Sequence, residues 1–164
     1  MKNIIFICTG NTCRSPMAEF IFKQKIKEKN LTNIFKVESY GITPNVGEPM
    51  AENAKAVLQN HYGLKEQLNS HKAKPLEIEI VKNADFIFCM NQTHKQIILL
   101  ALPNLKEKNN IYVLDENMFK NNNLEIKGIP DPYGGNLQAY ECCFNVIEKL
   151  INLILENKDI NLIV

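Results

Sequence analysis

Two residues that together could do covalent chemistry, Cys8 and Arg14, lie six positions apart in a short polar stretch. The stretch follows an apolar run that ends at Ile7 and precedes Pro16, which is typical of the first turn of a helix. A loop between a strand and a helix start gathers backbone N–H groups at the positive end of the helix dipole, where anions bind. The planar donors of arginine fit two oxygens of a tetrahedral oxyanion. Because the same field favours the thiolate of Cys8, the pattern predicts a nucleophile aimed at phosphorus.

The rest of this loop is predicted to surround the bound anion, and its residues are Thr9, Gly10, Asn11, Thr12, Cys13 and Ser15. Asn11 suits a tight loop because asparagine tolerates a left-handed backbone. The hydroxyl of Ser15 could donate its proton to the Cys8 sulfur while its oxygen accepts from a helix N–H. We therefore predict that Ser15 caps the helix and contacts the nucleophile, although a cap alone would account for it.

The stretch from Cys8 to Ser15, with Phe6 and Ile7 before it and Pro16 to Glu19 after it, resembles the signature of the low-molecular-weight protein tyrosine phosphatases. The similarity extends to Asp131-Pro132-Tyr133 and covers nearly the whole chain in length and order of elements. It implies hydrolysis of protein phosphotyrosine and small aryl phosphates through a phosphocysteine intermediate.

The resemblance implies a role for each residue of this chemistry. Cys8 is the nucleophile, Arg14 holds the phosphoryl oxygens, and Asp131 is the general acid that protonates the leaving phenolate and later acts as base. Tyr133 is the main aromatic wall of the substrate cleft. The sequence alone would not place Asp131 near Cys8. Without the resemblance, Asp131 would be read as an ordinary turn residue, because aspartate before proline is common in turns.

The resemblance also implies that Asn11, Ser39 and His71 brace the loop, although Ser39 and His71 would otherwise be ordinary polar residues. Cys13 shares the curled loop with Cys8, so their sulfurs could approach each other. The resemblance slightly favours a reversible disulfide that protects Cys8 from over-oxidation over simple packing of Cys13 beneath the loop.

The remaining cysteines and histidines carry no predicted chemistry. Cys89, Cys142 and Cys143 occupy core-like strand and helix positions and are predicted to be structural. His61 and His94 are predicted to lie on ordinary helix surface.

The sequence departs from the family pattern at two places beside the substrate. Many members have a large residue before the equivalent of Asn45, where this chain has Pro44, and many eukaryotic members have a second tyrosine where it has Gly134. A cleft with Tyr133 as its main aromatic wall should still admit an aryl phosphate. Strict preference for phosphotyrosine therefore stays an open question at this point.

Composition favours one domain over residues 1–164, because a chain of this length can bury a full core. A net charge of +1 gives no general attraction to nucleic acid or to an anionic membrane, and neither is expected as a partner. The start of the chain has no signal-peptide pattern and no apolar run is long enough to span a membrane. Five cysteines without zinc spacing indicate a reducing compartment, so we expect a cytoplasmic protein without metal or other cofactor. The expected partner is a phosphotyrosine-containing protein, and a cognate tyrosine kinase is possible.

Alternating strands and helices predict an α/β fold with a parallel sheet flanked by helices. Strands are predicted at Asn3–Cys8, Phe35–Ser39, Ala84–Met90 and Ile111–Leu114. Helices are predicted from Pro16, with Ser15 as the cap, to about Lys29, from Met50 to about His61, after Pro75, from the cap Asn91 to about Leu102, and around the apolar spacing Tyr140 to Ile154. A polar connection covers residues 116–128. The family resemblance implies a flavodoxin-like sheet with the strand order 2-1-3-4. Because Cys8 ends the first strand, it lies at the carboxyl edge of the sheet, where such folds bind ligands.

Two other functions fit the same loop. Arsenate reductases of this fold use a similar loop but need further cysteines after the third strand, and here Cys89 is followed by no cysteine in residues 91–98. A binding module would hold phosphotyrosine without turnover, although Cys8, Arg14 and Asp131 are all present.

Overall fold

The computed structural model describes residues 1–105, 109–115 and 128–156. Its sheet has four parallel strands in the order β2-β1-β3-β4, which confirms the predicted fold class and strand order. The strands are β1 (Lys2–Cys8), β2 (Phe35–Gly41), β3 (Phe86–Cys89) and β4 (Ile111–Val113). The helices are α1 (Arg14–Glu28), α2 (Glu52–Tyr62), α3 (Lys65–Ser70), α4 (Ile78–Asn83), α5 (Gln92–Ala101) and α6 (Leu137–Glu156).

The central strand β1 is buried on both faces, as expected for a parallel sheet covered by helices. Ile4 and Phe6 belong to one apolar cluster, whereas Ile5 and Ile7 belong to the other. The first cluster is formed with α1, α2 and α6, and the second with α4 and α5. This double coverage fixes the end of β1, and with it the position of Cys8.

The helical spacings of α1 and α6 predict their buried faces correctly. In α1 these residues are Met17, Ala18, Ile21, Phe22 and Ile26, and all are buried. In α6 they are Tyr140, Cys143, Phe144, Ile147, Leu150, Ile151 and Ile154, and all are again buried.

The helix after the loop begins two residues earlier than predicted. Helix α1 starts at Arg14, and Cys13 occupies the cap position without a side-chain hydrogen bond to the helix. The predicted capping role of Ser15 is therefore wrong, because Ser15 already lies within the first turn. Its hydroxyl oxygen is free for the bonds described below.

Two further parts of the chain differ from the prediction or lie beyond it. Helix α3 was not predicted. Most of the predicted polar connection, residues 116–127, lies outside the described residues. Within the described ranges, the helices are too short or too polar to cross a membrane.

Candidate active site

The end of β1 delivers Cys8 into a loop whose polar atoms converge on its sulfur. The side chain is 3% exposed, and its Sγ lies 2.9 Å from the Ser15 hydroxyl. The backbone N–H of Asn11 donates to the same sulfur at 3.2 Å. Hydrogen-bond donors at this position can stabilise the negative charge that develops on sulfur when a bond to sulfur breaks.

Asn11 ties together the strands and segments behind the loop. It has a φ of 55°, as predicted, and its side chain is fully buried. Its amide nitrogen donates to Ser15 Oγ at 3.0 Å and to Ser39 Oγ at 2.9 Å. Its amide oxygen accepts from the backbone N–H of Lys74 at 3.0 Å, and its carbonyl oxygen accepts from His71 Nε2 at 2.9 Å. The structure thus brings Ser39 and His71 to the loop, as the family resemblance implied.

A buried carboxylate ends this chain of hydrogen bonds. Ser39 Oγ donates to Glu19 Oε2 at 2.6 Å, and Glu19 is only 7% exposed. Lys23, one helical turn further along α1, pairs with the other oxygen of Glu19. Sequence reasoning did not single out Glu19, although its spacing of four from Ser15 places both on one face of α1.

Gly41 allows the end of β2 to approach the loop closely. A Cβ at this position would lie 2.8 Å from the carbonyl oxygen of Thr9 and 3.2 Å from Asn11 Cβ. The residues after Gly41 are hydrogen-bonded to the loop. The N–H of Ile42 donates to the carbonyl oxygen of Cys8, and the N–H of Thr43 donates to the carbonyl oxygen of Thr9, each at 3.0 Å. The loop is therefore held by backbone contacts that leave no room for a side chain.

Asp131, which precedes α6, lies at the rim of the loop beside Arg14. Arg14 Nη2 donates to Asp131 Oδ2 at 2.9 Å, with 7% of the arginine side chain and 55% of the aspartate side chain exposed. The other carboxylate oxygen accepts from the backbone N–H of Tyr133 at 3.2 Å, which shapes the turn. The pair joins residues 117 positions apart, so no local pattern could have placed them together.

A cleft of about 280 Å³ opens above the loop between these groups. It is lined by Cys8, Thr9, Gly10, Thr12, Cys13, Arg14, Thr43, Asn45, Glu48, Asp131 and Tyr133. Tyr133 is 80% exposed and is the aromatic residue of this lining. Among the described residues, two acidic side chains, Glu48 and Asp131, therefore share the cleft with one aromatic ring.

Cys13 lies beneath the loop and contacts α6. Its Sγ is 3.2 Å from the hydroxyl of Tyr140, and burial raises the pKa of its thiol despite that hydrogen bond. All five cysteines are free, and Cys89 and Cys143 are buried as predicted. Cys142 is exposed, so its predicted core position is wrong. It lies on the solvent side of α6 because it is one position off the apolar face.

His94 is also placed differently from the prediction, which assigned it to the helix surface. It is 3% exposed, and its Nε2 lies 2.9 Å from Thr9 Oγ1. Burial, followed by the charge of Arg14, lowers the pKa of His94 to about 4. The missed signal is its position just after β3, since the carboxyl ends of neighbouring parallel strands meet at one edge of the sheet.

The model of the low molecular weight phosphotyrosine protein phosphatase family matches residues 3–161 of this chain. The chain belongs to this family. The family is one of cysteine-dependent phosphatases, so the chain is a cysteine-dependent phosphatase.

Relatives and solved structures agree with this family over almost the whole chain. A protein-arginine-phosphatase of Bacillus subtilis is 34% identical, with 91% of each chain covered. The low molecular weight protein-tyrosine-phosphatase PtpA of Staphylococcus aureus is also 34% identical, with 99% of this chain and 98% of that protein covered. The crystal structure of a low molecular weight protein tyrosine phosphatase from T. tengcongensis matches with a TM-score of 0.81 at 33% identity, covering 95% of this chain and 99% of that one.

Proposed function

We propose that this phosphatase hydrolyses phosphotyrosine in proteins, and small aryl phosphates, through a phosphocysteine intermediate on Cys8. The observation that carries the proposal is the position of the Cys8 sulfur, 2.9 Å from the Ser15 hydroxyl, at the floor of a cleft that Arg14 and Asp131 share. A nucleophile, a fixed cation and a carboxyl group at one opening are the groups that phosphoryl transfer to sulfur requires.

In the first step, the Cys8 thiolate attacks phosphorus, the S–P bond forms, and the bond from phosphorus to the phenolic oxygen breaks. Arg14 and the loop N–H groups bind the phosphoryl oxygens and stabilise their charge. A bound phosphoryl group competes with Asp131 for Arg14. Once Arg14 binds the phosphoryl oxygens, the protonated carboxyl of Asp131 can give its proton to the leaving oxygen.

In the second step, a water oxygen attacks phosphorus and gives a proton to the Asp131 carboxylate. The S–P bond breaks, and inorganic phosphate and the Cys8 thiolate are released. The hydroxyl of Ser15 donates to the developing thiolate, which makes sulfur a better leaving group. The buried chain from Asn11 through Ser39 to Glu19 holds Ser15 in place.

A second candidate substrate is phosphoarginine, in which the bond from phosphorus to a guanidine nitrogen breaks and that nitrogen takes the proton. The supporting observation is the second carboxylate of the cleft, Glu48, which would attract a cationic guanidinium. One relative described above is named a protein-arginine-phosphatase, which supports the same candidate. Among the residues that the structure describes, Tyr133 is the single aromatic residue lining the cleft, and Pro44 stands where many family members have a large residue.

The arsenate reductase alternative receives little support from the cysteines. Cys89, which such a relay would need, is fully buried, and burial raises the pKa of its thiol to about 12. A thiol of this kind is a poor nucleophile in a disulfide relay.

Assays with an aryl phosphate, a phosphotyrosine peptide and a phosphoarginine peptide test the proposal directly. Cys8→Ser should abolish turnover of all three substrates, and Cys142→Ser is the matched control because Cys142 is exposed. A chelator should leave the activity unchanged. Loss of activity on chelation and its recovery with a divalent ion would contradict the mechanism. Binding of the phosphopeptides without turnover would favour a binding module, and the ratio of kcat/KM between the peptides decides the substrate class.

We further propose a phosphoprotein as the macromolecular partner and the cytoplasm as the location. Free cysteines, one of which must stay a thiolate for turnover, are suited to a reducing compartment. Fractionation of cells combined with the activity assay tests the location.

A further inference from the structure

The imidazole of His94 contacts the residue that directly follows the nucleophile. Its Nε2 lies 2.9 Å from the hydroxyl oxygen of Thr9. Thr9 is exposed and lines the cleft, whereas His94 is 3% exposed. A buried ring thus contacts the hydroxyl group of a residue that lines the cleft.

The other ring nitrogen of His94 indicates how the proton is placed. Nδ1 is buried and has no hydrogen-bond partner among the residues that the structure describes. An orphaned N–H in a protein interior is rarer than an unused acceptor lone pair. This arrangement favours the tautomer with the proton on Nε2, in which Nε2 donates to Thr9 Oγ1 and the hydroxyl proton of Thr9 is available to another acceptor.

The backbone that carries His94 is fixed at two points, which places the ring beside Thr9. The backbone N–H of His94 donates to Asn91 Oδ1 at 3.0 Å, which caps α5 immediately after β3. The N–H of Met90 donates to the carbonyl of Ile7 at 2.9 Å and joins that segment to β1. Arg14 and Asp131 are the charged groups that influence the ring, and burial together with Arg14 keeps it neutral.

We propose that His94 is a positioning residue that orients the Thr9 hydroxyl as a hydrogen-bond donor to the bound phosphoryl group. This proposal rests on the proposed function, because the proposed function places the phosphoryl group of the substrate in this loop. Thr9 makes the contact with the substrate, and His94 acts through Thr9.

Titration of the ¹⁵N-labelled protein with inorganic phosphate, followed by the amide signals of the loop, measures this contribution without turnover. Thr9→Val removes the hydroxyl at nearly constant volume and should weaken phosphate binding about tenfold, the usual effect of a hydrogen bond to a charged group. His94→Leu should weaken it to a similar extent, and His94→Gln, whose amide can reach Thr9, should restore most of the loss.

The double variant separates a positioning role from general damage. If His94 acts through Thr9, the variant with both Thr9→Val and His94→Leu should bind phosphate no more weakly than Thr9→Val alone. His61→Gln, a histidine substitution on the half-exposed face of α2, should leave phosphate binding unchanged. Additive losses, or an unchanged phosphate affinity in His94→Leu, would overturn the proposal.

A measurement on the unaltered protein covers the case in which His94→Leu fails to fold. The ¹⁵N chemical shifts of the ring should show a neutral imidazole with its proton on Nε2 at neutral pH. A proton on Nδ1, or an imidazolium, would overturn the proposal. A wild-type protein that binds phosphate but hydrolyses no substrate would contradict the proposed function and leave this test intact.

Discussion

At the scale of single residues, the two oxygens of Asp131 have different partners. One oxygen accepts from Arg14 and the other from the backbone N–H of Tyr133. The first contact competes with the substrate and the second shapes the turn. Substitutions that separate these two contacts therefore distinguish acid catalysis from a purely structural role.

Asp131→Ala should slow hydrolysis of phenyl phosphate or phosphotyrosine by on the order of 10²–10⁴-fold, the usual contribution of general acid catalysis. An aryl phosphate with an acidic phenol should be slowed less, because its leaving oxygen needs no proton. Single-turnover release of the phenol over a series of phenols measures this dependence.

Asp131→Asn is the matched control for the turn. Its amide oxygen can still accept from the N–H of Tyr133, but it supplies no acidic proton. The two variants should therefore lose similar amounts of activity. Equal slowing over the whole series of phenols, with activity retained in Asp131→Asn, would show that Asp131 only shapes the loop.

A second prediction at this scale concerns Cys13. Peroxide should oxidise the Cys8 thiolate to a sulfenic acid, which the Cys13 thiolate then attacks to form the disulfide and release water. Because burial raises the pKa of the Cys13 thiol, closure should become faster as the pH rises above neutrality. Mass spectrometry of protein quenched at several pH values measures this rate.

The protective role of that disulfide is checked by recovery after peroxide. Wild type should regain activity with a dithiol, whereas Cys13→Ala should stay inactive because Cys8 proceeds to irreversible oxidation. Equal recovery of the two proteins would show that Cys13 only packs beneath the loop. Cys143→Ala removes a buried cysteine from α6 as a control for general destabilisation.

At the scale of elements, the end of β2 sets the shape of the phosphate loop through Gly41. A Cβ there would lie 2.8 Å from the carbonyl oxygen of Thr9, and the backbone cannot give way without moving the loop. Gly41→Ala should therefore lower kcat/KM on the order of 10- to 100-fold, the effect of a small displacement of catalytic groups. Steady-state kinetics and circular dichroism measure activity and folding together.

Gly63→Ala provides the comparison, since Gly63 ends α2 with a φ of 68° and has no atom near its added Cβ. This variant should lose about 1 kcal/mol of stability while it keeps kcat/KM. If both glycine variants lost activity in proportion to their loss of stability, the close approach of Gly41 to Thr9 would have no specific role in catalysis.

At the scale of the whole molecule, two apolar clusters share the sheet, and we propose that residues 1–164 unfold as one domain. His94 couples this stability to pH. Its pKa is lowered from 6.5 to about 4, so between these values the unfolded chain binds a proton that the folded chain does not. The free energy of unfolding should therefore fall as the pH is lowered from about 6.5 to about 4, and this contribution should level off below that window.

Urea unfolding at several pH values, followed by circular dichroism, measures the effect. His94→Gln has no titrating ring, so its free energy of unfolding should fall less over this window than that of wild type. The difference isolates His94 from other titrating groups. Parallel curves for the two proteins would show that the buried ring does not titrate abnormally.

Much of the fold follows from the sequence because its signals are local. The apolar run of β1, the helical spacing of α6 and the Asn91 cap of α5 each act within a few residues, and each prediction was confirmed. The spacing of Cys8 and Arg14 likewise predicts an anion loop, because one turn of chain between a strand and a helix fixes both. The position of Asp131 beside Arg14 was available only through resemblance to the family.

Tertiary structure alone decided the contacts between distant segments. His94 reaches Thr9 because β1 and β3 are neighbours in the sheet, and Glu19 reaches Ser39 because α1 packs against β2. Cys13 and not Ser15 is the cap residue of α1, and the Ser15 hydroxyl lies 2.9 Å from the Cys8 sulfur. These contacts depend on which surfaces meet after the chain folds. The free energy of that packing comes from residues far apart in sequence, so no local sequence pattern predicts it.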